Sequence, residues 1–212
     1  LDGLPLAIEL AAARIRIFSP ELLLARLDRR LALLTGGSRD LPTRQQTLRA
    51  SLEWTQSLLD APEQAVYRRL GVFVGGFTME LAQRVAADPA IDRWAVLEHL
   101  ASLVDKSLVA VDAAEPPRYS LLESAREFAL EQLEHCGETA ATRAAHAAAL
   151  RETVAHVDAL YYGSDAYGAA QTQLVRELDN MRAALAWARA QSQTGLAIAL
   201  AGLSCRLWNR CG

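Results

Sequence analysis

Residues 107–122 read SLVAVDAAEPPRYSLL, the stretch in which the chain departs from helical periodicity. Leu108 to Val111 is a short β-prone run, and Tyr119 to Leu122 is a second one beyond a Glu115-Pro116-Pro117 corner that cannot join a ladder. The pattern predicts a two-stranded hairpin. A hairpin alone is marginal in water, so it must lean on the helices that flank it.

Upstream, the signals are helical. Pro62 to Leu70, Thr78 to Ala87 after the Gly75-Gly76 break, and Asp92 to Lys106 after the Asp88-Pro89 turn each read as a helix. Thr43-x-x-Gln46 has capping-box spacing and opens a further helix carrying Leu48, Leu52, Trp54 and Leu59. Downstream, Ser120-x-x-Glu123 is placed to cap the helix that follows the hairpin. Helices, a small hairpin and another helix, in that order, predict a winged helix over residues 43–136.

Residues 1–42 read as a piece of a helical subdomain. Here LDGLPLAIELAAAR runs into a helix with only Glu9, Arg14 and Arg16 charged between Leu4 and Ile17. A helix with so narrow a polar stripe needs neighbours on several sides, which marks the chain as a segment of a larger protein. A second helix follows Ser19-Pro20-Glu21, with leucines at 23, 27, 31 and 34, and stops in the loop from Thr35 to Asp40. After residue 136, the stretches from Glu138 to Tyr162, Gln171 to Ala190 and Leu196 to Trp208 read as helices, broken at Tyr162-Gly163-Ser164-Asp165. Residues 137–212 therefore read as the start of a tetratricopeptide-like array, without a clean 34-residue repeat signature. The fold class expected is mainly α: a helical subdomain, a winged helix with one small β-hairpin, then the beginning of that array.

Composition narrows the function. The 212 residues are 51% hydrophobic with a net charge of −3, which suits a sizeable core and argues against a nucleic-acid footprint spread over the whole surface. No apolar run reaches the length of a membrane span, so no membrane partner is expected. The three cysteines, Cys136, Cys205 and Cys211, lack CxxC spacing, and the four histidines offer no i, i+4 pair. A reducing cytoplasm fits, and no metal site is expected.

Few residues carry an obvious chemistry. There is no GxxxxGK[ST] loop and no catalytic constellation, so the segment itself is not read as an enzyme. Glu123, Glu127, Glu131, Glu134 and Glu138 alternate as an exposed helix face would, and Arg126 reads as the partner of Glu123 or Glu127. His99, His135, His146 and His156 read as helix-surface or core-edge residues. Trp54, Trp94, Trp187 and Trp208 read as packing anchors, and Asn180 as a residue that ties a turn. The helix from Asp92 to Lys106 sets two bases, Arg93 and Lys106, against three acids, Asp92, Glu98 and Asp105; the wing adds Arg118 beside Asp112 and Glu115. That balance argues against direct DNA binding, which leans on phosphate neutralisation.

Five motifs in order, GLPLA (Gly3 to Ala7), LPTRQQTLRASLEWTQSLL, RRLGVFVGGFTMELA, LVDKSLV and LLESAREFALEQL, closely resemble bacterial NB-ARC-type members of the STAND signal-transduction ATPases. The resemblance covers nearly the whole chain. It implies a cytoplasmic transcriptional regulator in which an upstream region binds ATP or ADP with Mg²⁺ as a slow ATPase switch, while this segment holds no cofactor of its own. It further implies that Gly3 and Pro5 lie beside the nucleotide. Gly permits close backbone approach, and Pro presents an apolar ring with no N–H left over. Many relatives carry Met-His-Asp at the end of the winged helix, the His touching the ADP β-phosphate; the matching positions here are Leu121, Leu122 and Glu123, so Leu122 and Glu123 stand at a degenerate phosphate-sensor position. The expected role is a regulatory module whose winged helix docks on the nucleotide-binding domain of the same protein, with a protein or small-molecule signal arriving through the helical repeats. The alternative is a winged helix that itself binds DNA. The phosphate cradle of backbone N–H groups, Lys and Mg²⁺ lies outside the motifs present, so the 212-residue chain should give no measurable heat with ATP or ADP in titration calorimetry.

Overall fold

Side chains start the helices in front of the hairpin. α1 (Leu48–Ser57) leads to α2 (Ala61–Leu70), which opens on a complete capping box: the Glu63 N–H donates to Asp60 Oδ1 at 2.8 Å and the Asp60 N–H donates to Glu63 Oε2 at 3.0 Å. Thr78 caps α3 (Met79–Ala86), its Oγ1 accepting from the Leu81 N–H. Asp92 caps α4 (Arg93–Asp105) by accepting from the Ala95 N–H at 2.8 Å. The computed structural model describes residues 48–113, 115–160 and 174–211 together with Ile8, Ala12 and Thr172. The expected helices of residues 1–42, the Thr43 cap and the break at 162–165 lie outside the described residues.

The hairpin forms where it is expected. β1 (Ala110–Asp112) pairs antiparallel with β2 (Arg118–Ser120), with Ala110 opposite Ser120, Val111 opposite Tyr119 and Asp112 opposite Arg118. A third segment joins them, because the N–H groups of Phe77 and Tyr119 donate to each other's carbonyls at 2.8 and 2.9 Å. Helix, bridge, two helices, strand, wing and strand make a winged helix, on a mainly helical chain as expected.

Some local expectations are corrected. Leu108 and Val109 belong to the core, and the strand begins only at Ala110. Ser120 does not cap α5 (Glu123–His135): it is held in the ladder opposite Ala110, and the N-cap position falls to Leu122, which supplies no side-chain acceptor. Beyond residue 137 come α6 (Thr139–Leu160), α7 (Leu178–Ala190) and α8 (Thr194–Cys211); the helix expected from Gln171 to Ala190 is interrupted, with Leu174 and Val175 helical, a turn at Arg176 and Glu177, and α7 after it. The acids after the wing are not simply a solvated face. Glu131 pairs with Arg49 of α1 at 2.8 Å, and Glu138 pairs with Arg68 and Arg69 of α2 at 2.6 and 3.0 Å.

One hydrophobic cluster runs through both halves, from Val66, Leu70, Phe77, Leu100 and Phe128 to Leu150 and Met181. Phe73 sits at its centre, stacked on Phe77 at 4.6 Å and edge-on to His146 at 5.0 Å. His146 is therefore a core residue, 3% exposed, rather than a surface one. The buried Tyr67 hydroxyl donates to the Ala125 carbonyl at 2.8 Å and fixes α2 to α5. Of the tryptophans, Trp187 packs half-buried on the core, whereas Trp54 and Trp94 are 46% and 66% exposed and lie outside it.

Gly76 is where this packing tolerates least. Its φ is +96°, and a Cβ there would meet the Tyr119 carbonyl oxygen at 2.9 Å. Gly137, in the turn between α5 and α6, has φ of +71° but open space around it. Gly137→Ala should cost about 1 kcal/mol through the left-handed backbone alone. Gly76→Ala should cost at least twice as much, because the hairpin must also shift; paired urea melts check the ratio, and equal losses would contradict the Phe77–Tyr119 bridge.

Candidate nucleic-acid interface

In a winged helix the second helix of the helix-turn-helix enters the major groove and the wing reaches the backbone beside it. Here those parts are α4 and the β1–β2 turn. The helix-turn-helix corner is closed by Gln83 of α3, whose Nε2 donates to the Arg93 carbonyl at 2.9 Å. Val96, Leu100 and Leu103 turn inward, which leaves Arg93, Trp94, Glu98, Ala101 and Asp105 exposed on the outer side of α4. The wing exposes Val111, Asp112, Glu115, Pro116 and Pro117. Between Asp92 and Ser120 the basic residues are Arg93, Lys106 and Arg118, with His99 half-buried.

Two of those three bases are already matched. The Lys106 Nζ lies 2.6 and 2.7 Å from the two carboxylate oxygens of Glu63, which also accepts from the Ser102 hydroxyl at 2.5 Å. Burial pushes the Glu63 carboxyl up, but the bonds from Lys106, Ser102 and the Asp60 N–H outweigh it and hold the group at about 2. Asp60, Glu63 and His99 bring possible metal ligands within 4.8 Å of one another, yet the Glu63 oxygens are spent on the cap and on Lys106.

Arg118 points away from solvent. Its Nη1 pairs with Glu177 Oε1 and its Nη2 donates to the Arg176 carbonyl at 3.2 Å, immediately before α7. Glu177 is 3% exposed, and its second oxygen accepts from Asn180 Nδ2 at 2.6 Å. Asn180, fully buried, reaches back to the winged helix: Nδ2 donates to the Gly76 carbonyl at 2.8 Å and Oδ1 accepts from the Val74 N–H at 2.7 Å. Asn180 thus ties a turn, as its sequence context indicates, but the turn is more than 100 residues away in the chain. The pairing of Arg118 with Glu177 has no sequence signal, since nothing in a spacing of 59 residues marks it.

The positions assigned to nucleotide fall apart as follows. Gly3 and Pro5 lie outside the described residues. Leu122 and Glu123 line a concavity of about 220 Å³ with Phe73, Gly75, Gly76 and Arg126. Arg126 donates through Nη1 to Glu123 at 3.1 Å, as expected, and through Nε to the Phe73 carbonyl at 2.6 Å. Behind Phe73, burial drives the His146 imidazole down to about 4 against the opposing amide contact from Asn180, with the neighbouring Arg143 and Arg126 pushing the same way as burial. A larger cavity of about 400 Å³ lies between α3, the wing and α6, lined by Met79, Arg84, Pro117, Tyr119, Thr153 and Glu177 among others.

Comparison with known proteins agrees with this geometry. Residues 59–134 match the winged helix-turn-helix domain family. Proteins of Mycobacterium tuberculosis and Mycobacterium bovis, each provisionally named an HTH-type transcriptional regulator, are 42% identical over 209 residues, covering 98% of this chain and 23% of the relative. A second M. tuberculosis protein, uncharacterised, is 42% identical over 154 residues, covering 72% of this chain and 39% of its own length. The chain thus spans about a quarter of the length of the regulators it matches. No solved structure matches it. Among the described residues no helix is long and apolar enough to cross a membrane.

Two of the perturbed groups, His146 and Glu63, make separate demands on pH. His146 stays neutral in the folded chain down to about 4 while the unfolded chain takes up a proton near 6.5, so stability should fall with a slope approaching roughly 1.4 kcal/mol per pH unit between those values. Glu63 adds stability that is complete above 4.5 and is lost as pH falls toward about 2. Urea midpoints at a series of pH values should show His146→Leu flattening only the upper window and Glu63→Gln only the lower one.

Proposed function

We propose that this chain is the winged-helix part of a transcriptional regulator, and that α3, α4 and the β1–β2 wing form the surface with which it addresses duplex DNA. The observation that carries this reading is the match of residues 59–134 to the winged helix-turn-helix family, on a helix pair and hairpin that occur in that order. The names of the mycobacterial relatives support the regulatory half of it. Arg93, at the start of α4, is then the exposed cation available to a phosphate, with Gln83 beside it at the corner.

A second reading is favoured by the exposed side chains themselves. Trp94 and Val111 are 66% and 51% exposed, and Glu98, Asp105 and Asp112 lie on the same elements, a mixture that suits a protein surface better than a phosphate backbone. On this reading the winged helix docks on the nucleotide-binding domain of its own protein, where ATP or ADP with Mg²⁺ would lie beside Gly3 and Pro5, with Leu122 and Glu123 at the phosphate-sensor position. The helical array would take a protein or small-molecule signal. The nucleotide switch rests on the motif resemblance alone, whereas the comparisons speak more strongly for DNA.

Fluorescence anisotropy of a labelled duplex with the 212-residue chain separates the two. DNA readership requires binding at low ionic strength that weakens steeply with added salt and drops severalfold in Arg93→Ala. Absence of binding by both proteins, and by Glu177→Gln, at micromolar concentration and low salt would leave the docking reading in its place.

A further inference from the structure

The seam between the wing and α7 does something the helix-turn-helix alone does not require. Arg118 is the one basic residue of the hairpin, from Ser107 to Ser120, and the position that follows the wing is well placed for a phosphate contact. Instead its guanidinium is 11% exposed and is met by a carboxylate that is 4% exposed. A buried ion pair of this kind repays its desolvation only when its remaining polar atoms are also satisfied. They are: the second Glu177 oxygen is taken by Asn180, and Asn180 spends its remaining bonds on Val74 and Gly76, the turn next to the Phe77–Tyr119 bridge. Lys106 is likewise neutralised by Glu63. The resting winged helix therefore offers DNA little besides Arg93.

We propose that the contact is autoinhibitory: Glu177 occupies the wing arginine in place of a DNA phosphate, so that the helical array holds the winged helix in a form with weakened DNA affinity until array and wing separate. This rests on the DNA reading above and adds its regulation. The array is suited to the task because its two polar side chains at the seam reach both parts of the winged helix, Glu177 the wing arginine and Asn180 the turn before α3. Withdrawal of α7 therefore frees Arg118 and unties residues 74–76 in the same movement.

The test uses the 212-residue chain and two variants. Glu177→Gln keeps the size of the side chain and the contact to Asn180 but removes the charge that holds Arg118. It should raise duplex affinity severalfold at low ionic strength and steepen the dependence of log K on log salt by about 0.9, the mark of one added phosphate contact. Adding Arg118→Gln to it should return both quantities to the wild-type values, which a general loosening of the fold would not do. Hydrogen exchange provides the second readout: the amides of Val74, Phe77 and Tyr119 should exchange faster in Glu177→Gln while those of α2 and α4 keep their protection. Faster exchange at the seam with unchanged DNA affinity overturns the masking, and unchanged exchange together with unchanged affinity overturns the contact as a switch. Failure of the DNA reading itself is recognised separately, by the absence of salt-sensitive duplex binding in wild type and in Glu177→Gln alike, or by Arg93→Ala leaving the binding of Glu177→Gln unchanged.

Discussion

The backbone bridge between Phe77 and Tyr119 is the constraint on which the rest of the winged helix depends. A two-stranded hairpin of three residues a side does not hold itself in water. Two short N–H···O=C bonds to the segment before α3 give it a third partner, and Phe77, which no solvent reaches, brings the ring of Tyr119 alongside at 6.1 Å. This contact requires the chain to arrive at Phe77 through Gly75 and Gly76, both with positive φ, and to pass so close to the Tyr119 carbonyl that a side chain at Gly76 does not fit. The same turn offers the Val74 N–H and Gly76 carbonyl that Asn180 satisfies from the array. The element that makes the fold a winged helix is thus also the one that attaches it to its neighbour.

Charge is handled in the same economical way. Glu63 serves as capping-box residue for α2 and as counter-ion to Lys106 at the end of α4. Glu138, at the start of α6, gathers Arg68 and Arg69, and Arg69 also holds Asp88 in the loop before α4. Most of the cations of the winged helix are consumed internally, which leaves the surface of α4 and the wing apolar and acidic. A helix-turn-helix whose exposed charge does not suit a phosphate backbone is the appearance expected of a reader held in reserve. It is also what a docking block would present, so the decision belongs to the binding of DNA and not to the fold.

Much of the architecture was legible in the sequence because it depends on local chemistry. Asp92 and Thr78 cap the helices they precede, the Pro116-Pro117 corner separates β1 from β2, and the change of period at 107–122 marks the wing. Where the local rule failed, a neighbour had prior use of the residue. Ser120 has capping-box spacing to Glu123, but the ladder to Ala110 holds it, so Leu122 begins α5 without a cap. Trp94 has the periodic look of a core residue, yet it occupies the first turn of α4, beyond the reach of the cluster formed by Val96, Leu100 and Leu103.

The candidate site divides along the same line. Composition and spacing by themselves determined that α4 carries few bases and that the wing holds a single arginine. Only the tertiary structure decided which of those charges face solvent. Lys106 meets Glu63 across 43 residues, and Arg118 meets Glu177 across 59, in pairs formed by the packing of α4 on α2 and of α7 behind the wing. A sequence records which ionisable groups exist and how they are spaced along one helix, because that spacing fixes the helix face each one occupies. It does not record ion pairs between distant elements, because these depend on the burial of the apolar faces that bring the elements together.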